Sequence, residues 1–476
     1  MSNIYAPDVQ LGISIPEVCT KDNVTFYQVT IAMASQDVHW KVERRYRDFA
    51  ELHETLLECG VSKESLPQKK YIGNKEAQFV MKRRKDLESY LQSVTQFLKC
   101  SIPESLARFL ELDKFDVNYI LRDLAGEHFD RLAVGREDPW LFEAIWTPLE
   151  LFSLSQRLKS PLPPQDPGSK RWDFTNVADR VCQMKALKVN GHSENLGLSN
   201  ICPNQLKYDF LAFKNLTKLI LSEVVCSPDQ ISAFGNVRHT LTHFSVNKCH
   251  VESIAHLLLC DTPFYNLQDD GELAQIIDAN PNFVWRKLQV LDLRYNDVKK
   301  IDRSVTLAPL IETFLLGSNK VTDIENLTTL PKLSHLELAD NDIHETDDLH
   351  IKLGQVTRLD LSHNKIKTLA GWSKLYSLKN VNVSNNRIRE LKDVFPLSQL
   401  PCLEVLNLQG NKVTSVVDYR IKLFESFGKR CSELCLDNEN PSQREIDRVS
   451  ILMALRVAKE GLPPTTLFGN LPKRVS

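Results

Sequence analysis

The chain has 476 residues, 42% hydrophobic and 25% charged, enough for two to four folded units with ordinary cores. Its 59 Lys and Arg against 61 Asp and Glu leave a net charge of −2, which excludes a whole-molecule attraction to nucleic acid. Eleven cysteines without a CxxC pair, no apolar run near 18 residues and no basic-apolar leader suggest a reduced cytosolic protein, without metal or cofactor.

From about residue 8 to 46, apolar and polar residues alternate, as in Val24-Thr-Phe26 and His39-Trp40-Lys41-Val42. Turn-prone Lys21-Asp22-Asn23 and Ser35-Gln36-Asp37 interrupt the alternation, so a three-stranded antiparallel meander is expected. The period then lengthens. Phe49, Leu52, His53, Leu56 and Leu57 mark a helix stopped at Gly60, a second helix spans about 75–99, and a third opens with Pro103 in its first turn. A small α+β domain is thus expected over residues 5–115. Residues 116–170 read as a helical connector around Trp140, Trp146 and Leu151, ending in the proline-rich run from Ser160 to Ser169.

Residues 180–440 repeat themselves. Six segments of the form Leu-x-x-Leu-x-Leu-x-x-Asn, with apolar replacements of the leucines allowed, among them Leu288–Asn296 and Leu333–Asn341, place asparagines at 296, 319, 341, 364, 386 and 411. The steps of 23, 22, 23, 22 and 25 suit a stack of short parallel strands, each too small to bury its own apolar edge. Weaker copies precede them, one with Cys249 in the asparagine position, and an irregular insertion fills 250–287. Residues 412–440 read as a closing cap. A capping box, Ser442-Gln-Arg-Glu445, then opens an amphipathic helix in a 441–476 tail.

Catalytic signatures are missing from the sequence, and no enzyme is expected: no phosphate loop, nucleophile elbow or zinc-helix motif occurs. Basic residues instead concentrate. Arg44-Arg45-Tyr46-Arg47 stands where the third strand meets the first helix, and seven basic residues against one acid lie between Lys69 and Lys85, a local charge of +6. Either cluster alone would be an ordinary solvated edge. Together they suit a small polyanion, since arginine grips phosphate in two places and lysine adds a point charge. On the repeat strands, the position between the two leucines reads Asp292, Leu315, Glu337, Asp360, Asn382 and Asn407. Asp292, Glu337 and Asp360 would favour a basic protein segment on the concave face, although Arg294, His335 and Arg358 dilute their field.

The order and spacing of Arg45-Tyr46-x-Asp48-Phe49, Leu66-Pro67-x-Lys69 and Arg83 before Leu87 resemble the phox-homology (PX) domain. That resemblance implies binding of phosphatidylinositol 3-phosphate: Arg45 on the 3-phosphate, Tyr46 under the inositol ring, Lys69 on the 1-phosphate and Arg83 on the 4- and 5-hydroxyls. Tyr71, Ile72 and Phe79 would then enter the membrane interface. The proline-rich stretch common in such domains is reduced here to Pro67. The repeats resemble the 22-residue leucine-rich kind. The whole order, α+β PX domain, helical connector and α/β leucine-rich-repeat solenoid with a C-terminal cap, is similar to the imidazoline-receptor family. That similarity implies a non-enzymatic adaptor, cytoplasmic and peripheral on early or recycling endosomes. It would restrain migration through Rac, p21-activated kinase or Rab GTPase pathways. Longer members continue into a coiled coil and an integrin-tail-binding region, so no integrin contact is expected here. The alternative is a leucine-rich regulatory subunit of a protein phosphatase with a PX-like domain that binds no lipid.

Overall fold

The alternating segment forms three strands, β1 (Leu11–Lys21), β2 (Val24–Met33) and β3 (Val38–Arg45), paired antiparallel in sequence order. The computed structural model describes residues 11–33, 38–69, 76–98, 102–133, 144–159, 170–264 and 270–460. Cross-strand partners Ile13, Ile31 and Trp40, with Val29 and Val42, bury one face of the sheet. Helix α1 (Tyr46–Leu57) follows directly, burying Phe49, Leu52 and Leu56, and Phe49 meets the Tyr27 ring edge-on at 6.2 Å.

Both outer edges of this sheet are closed. Helix α2 (Ala77–Leu98) presents Arg84, Glu88 and Gln92, one per turn, to β1. Glu88 accepts the Ile15 N–H at 2.5 Å, Gln92 donates to the Ile13 carbonyl at 2.8 Å, and Arg84 donates to the Ile15 and Pro16 carbonyls. On the far side, Lys41 N–H donates to Leu198 O at 2.9 Å and Asn200 N–H to His39 O at 3.0 Å. An unpaired edge of this length would invite aggregation, and both closures remove it.

Helices α3 (Glu104–Phe109), α4 (Leu112–Phe115) and α5 (Val117–Ala133) follow. Pro103 caps α3 rather than entering its first turn. Trp146, expected in a helix, lies in strand β4 (Ala144–Trp146), which pairs in parallel with β5 (Ala186–Asn190). Three residues are too few to show a period, and the parallel pairing decides the matter. Between them lie α6 (Pro148–Lys159) and α7 (Phe174–Gln183). Trp140 and the proline-rich run lie outside the described residues. The chain divides into two compact units, residues 1–215 with 229–233, and residues 216–228 with 234–476.

In the second unit, strands Lys218–Ser222, His243–Asn247, Val290–Asp292, Thr313–Leu315, His335–Glu337, Arg358–Asp360, Asn380–Asn382, Val405–Asn407 and Cys435–Leu436 pair in parallel, each with the next. The asparagines explain the repeat length. Asn341 Oδ1 accepts the Val321 N–H at 2.9 Å, and its amide donates to the carbonyls of Leu316, Leu338 and Ala339. Asn364, Asn386 and Asn411 are buried too, with the same N–H acceptor role, so each turn is satisfied by its own repeat and bonded to its neighbour. The residue before each ladder asparagine from 296 to 386 takes a left-handed conformation. Before Asn411 it is Gly410 (φ +75°), where a Cβ would sit 2.1 Å from Asn385 Oδ1. The 250–287 insertion contributes helices Ile254–Leu258 and Asp270–Ala279, the first held by Asp302 accepting the Ile254 and Ala255 N–H groups. Helix Tyr419–Phe427 closes the stack, and the capping box forms, with Ser442 N–H on Glu445 at 2.8 Å, before helix Gln443–Glu460 buries Val449.

Candidate functional site

The strand-to-helix junction builds a cleft. Arg45 ends β3 and caps α1, and Asp48 accepts its N–H at 2.7 Å, as an N3 carboxylate should. The same carboxylate stands 3.5 Å from the Arg45 guanidinium, which remains about half exposed. Tyr46 is fixed by its hydroxyl, which donates to Pro67 O at 2.5 Å. From α2, Arg83 reaches over it: the guanidinium carbon lies 4.4 Å from the Tyr46 ring centroid and 4.3 Å from that of Phe79. Arg45, Tyr46, Lys69 and Arg83 thus line one opening of about 390 Å³, with Asn23, Val24, Thr25, Tyr27, Arg47 and Ala50 completing its wall.

Arg83 is the unusual member. It is only 6% exposed, yet Nε and Nη2 have no hydrogen-bond partner among the described residues. A buried cation so placed is costly unless an anion completes it. Burial pushes the Tyr27 phenol above its ordinary pKa while the Arg83 charge pulls the other way, so the wall beside the guanidinium stays neutral. The cleft can therefore take a small, multiply charged anion of the size that fits such openings.

The sequence did not single out Arg47, which lines the cleft and pairs with Glu51 at 2.7 Å. Its proximity to Arg45 was the available signal. Of the proposed membrane contacts, Phe79 is half-buried against Arg83, and Tyr71 and Ile72 lie outside the described residues.

The repeat face brings Glu337 and Asp360 onto adjacent strands, with Leu315 between Glu337 and Asp292. The three carboxylates differ in their commitments. Asp292 is 7% exposed and accepts two bonds from the Arg294 guanidinium, at 3.0 and 2.9 Å, one from the Arg294 N–H and one from Ser245. Asp360 accepts from Ser362 and Asn382. The Glu337 carboxylate makes no hydrogen bond or ion pair among the described residues. Burial, joined by the charges of Asp360 and Asp292, raises its pKa. It leans toward Gly317, where a Cβ would meet its Oε1 at 2.7 Å. Among the described residues no cluster of three or more His, Cys, Asp or Glu could hold a metal ion, and no helix is long and apolar enough to cross a membrane.

The sequence matches the PX domain family over residues 32–113 and the leucine-rich-repeat family over 331–388. It is 36% identical over 85 residues to the PX domain-containing protein kinase-like protein of Rattus norvegicus, covering 18% of this chain and 14% of that one. It is 30% identical over 166 residues to the serine/threonine-protein kinase 11-interacting protein of Gallus gallus, covering 34% and 16%. A third relative, the leucine-rich repeat and WD repeat-containing protein 1 of Mus musculus, is 34% identical over 152 residues, covering 30% and 22%. The chain therefore spans under a quarter of the length of these relatives. Among solved structures, a designed CISK-PX domain aligns at 27% identity and TM-score 0.19, covering 21% of this chain and 98% of that one. A leucine-rich-repeat protein of Leptospira interrogans aligns at 18% and 0.40, covering 58% and 61%. The chain carries an N-terminal PX domain followed by leucine-rich repeats. The first kind of module generally binds phosphoinositide membranes and the second proteins, and both typically serve adaptors rather than catalysis.

Proposed function

We propose that the protein is a nischarin-type adaptor of the imidazoline-receptor family, recruited to endosomal membranes by phosphatidylinositol 3-phosphate. The buried Arg83, with two nitrogens unpartnered among the described residues in a cleft shared with Arg45 and Lys69, is the observation that supports this most. Arg45, at the N-terminus of α1 where helix dipole and guanidinium add, receives the 3-phosphate. The Tyr46 ring carries the inositol, Arg83 meets its 4- and 5-hydroxyls, and Lys69 meets the 1-phosphate. Phe79, Tyr71 and Ile72 are assigned the role of membrane contacts. The protein is then cytoplasmic and peripheral.

The repeat face holds the signalling partner, in the Rac, p21-activated kinase or Rab GTPase pathways. Glu337, half-buried and uncommitted, is the carboxylate that gains most from a partner's Lys or Arg, with Asp360 beside it. One relative is named for interacting with a protein kinase, in keeping with such a role. A single headgroup site binds modestly, so residence on a vesicle needs the partner as a second contact. The test is co-sedimentation of the full chain with vesicles carrying phosphatidylinositol or its 3-, 4- or 4,5-phosphates. Selective retention by the 3-phosphate is expected, and equal retention by all four would contradict the headgroup assignment.

A further inference from the structure

The ladder position before Asn296 holds Cys249, and its sulfur stands in for an asparagine amide. Elsewhere a ladder oxygen accepts an N–H from the preceding repeat, as Asn319 does from Val298 at 3.0 Å; here the Val224 N–H meets Cys249 Sγ at 3.3 Å. The thiol also faces the carbonyls that an amide would donate to, Asn247 O at 3.3 Å and Leu221 O at 3.7 Å. Sulfur bonds weakly in both directions, so this rung is softer than the rest. Beside it sits Cys226, its Sγ 4.0 Å from the carbonyl of the same Val224, so both thiols meet one residue's backbone.

The pair is chemically asymmetric. The neighbouring Cys226 thiol, aided by backbone N–H groups, holds the Cys249 thiol below its usual pKa. The Cys249 thiol, with burial, pushes Cys226 well above its own. Nearby Cys260 is buried and pushed up by that burial first and by the Asp261 charge second, so it stays an inert thiol. Cys249 is 8% exposed and Cys226 keeps partial exposure, enough for a small oxidant.

The geometry points to Cys226 and Cys249 as a modification site: a hydroperoxide-oxidisable pair that closes to a disulfide between neighbouring repeats. The Cys249 thiolate attacks one peroxide oxygen, the O–O bond breaks, and the leaving hydroxide takes a proton to become water. Cys226 then attacks the sulfenic sulfur, loses its proton, and releases the second oxygen as water. Two thiols give up two electrons and two protons, and one hydrogen peroxide becomes two waters. Oxidation exchanges a soft hydrogen-bonded rung for a covalent one. It does not rest on the lipid-binding reading.

The test treats the reduced full-length chain with hydrogen peroxide, blocks remaining thiols with N-ethylmaleimide and maps the digest by mass spectrometry. A dithiothreitol-sensitive Cys226–Cys249 cross-linked peptide is expected, forming at least about tenfold faster than oxidation of any other cysteine. Cys226→Ser should stop at a dimedone-reactive sulfenic acid on Cys249. Cys249→Asn restores the usual ladder residue, so it should fold with an unchanged or higher melting temperature and give no cross-link. Recovery of both residues as maleimide adducts while other cysteines oxidise would overturn the proposal. So would an irreversible sulfinic acid on Cys249 with Cys226 still free.

Discussion

The guanidinium of Arg83, in the second helix of the PX domain, lies 4.4 Å over the ring of Tyr46, in the first turn of the first helix. The contact ties two walls of the cleft together, so Arg83 serves the structure as well as the binding proposed for it. Arg83→Lys keeps the charge but loses the planar stack on both rings. It should destabilise the PX domain by about 1–2 kcal/mol and weaken vesicle binding about tenfold. Thermal melts and vesicle titrations check the two effects, and an unchanged melt would contradict the structural half.

The asparagine ladder predicts a cost far above that of a surface substitution. Asn364→Ala would strip the Ile343 N–H and the carbonyls of Leu338, Leu361 and Ser362 of their partner. A loss of about 2–4 kcal/mol is expected in denaturant unfolding. A loss below about 0.5 kcal/mol, typical of the surface, would mean that the ladder does not hold the stack.

Two opposing effects meet at Gly126. In a helix, glycine to alanine gains about 1 kcal/mol from propensity. A Cβ here would lie 2.4 Å from Cζ3 of Trp172, whose ring stacks on Arg122 at 4.4 Å. Overpacking costs about 1–3 kcal/mol, so Gly126→Ala should be destabilising on balance and shift tryptophan emission to the red. A more stable variant with unchanged emission would refute this packing.

Glu337 carries a pH signature. Its folded pKa is raised by burial, so the folded chain binds the proton more tightly than the unfolded one. The stability it contributes is full below the ordinary glutamate value and is lost as pH rises through the raised one. Glu337→Gln should therefore match the wild type in acid and exceed it slightly near neutrality. Melts from pH 4 to 8 check the crossing, and a variant less stable at pH 7 would contradict the assignment.

Much of this was legible in sequence because two periods are unambiguous there. Alternation gave the meander, and the spaced asparagines gave the ladder. By charge alone Arg83 is one member of a basic run, and only the PX resemblance singled it out, although it stands four residues before Leu87 and so shares the buried face of its helix. The same spacing, 84, 88 and 92, announces the side chains that close β1, but an edge must be seen before its closure can be inferred. Arg294 follows the strand that ends at Asp292, and its pairing with that carboxylate was not read from the sequence, where it counted only as a dilution of the acidic field. That Glu337 would be left over depends on which neighbours reach it, and on the space above Gly317.

The central claim is that the cleft at the strand-to-helix junction grips an inositol lipid through Arg45. Arg45 is about half exposed and, among the described residues, makes an ion pair with Asp48 alone, so its truncation should spare the fold. The most direct measurement compares full-length wild type and Arg45→Ala in flotation with vesicles containing phosphatidylinositol 3-phosphate, alongside their thermal melts. Loss of at least about tenfold in vesicle binding, with a melt within about 0.5 kcal/mol of wild type, is predicted. Equal flotation of a fully folded Arg45→Ala chain would contradict it.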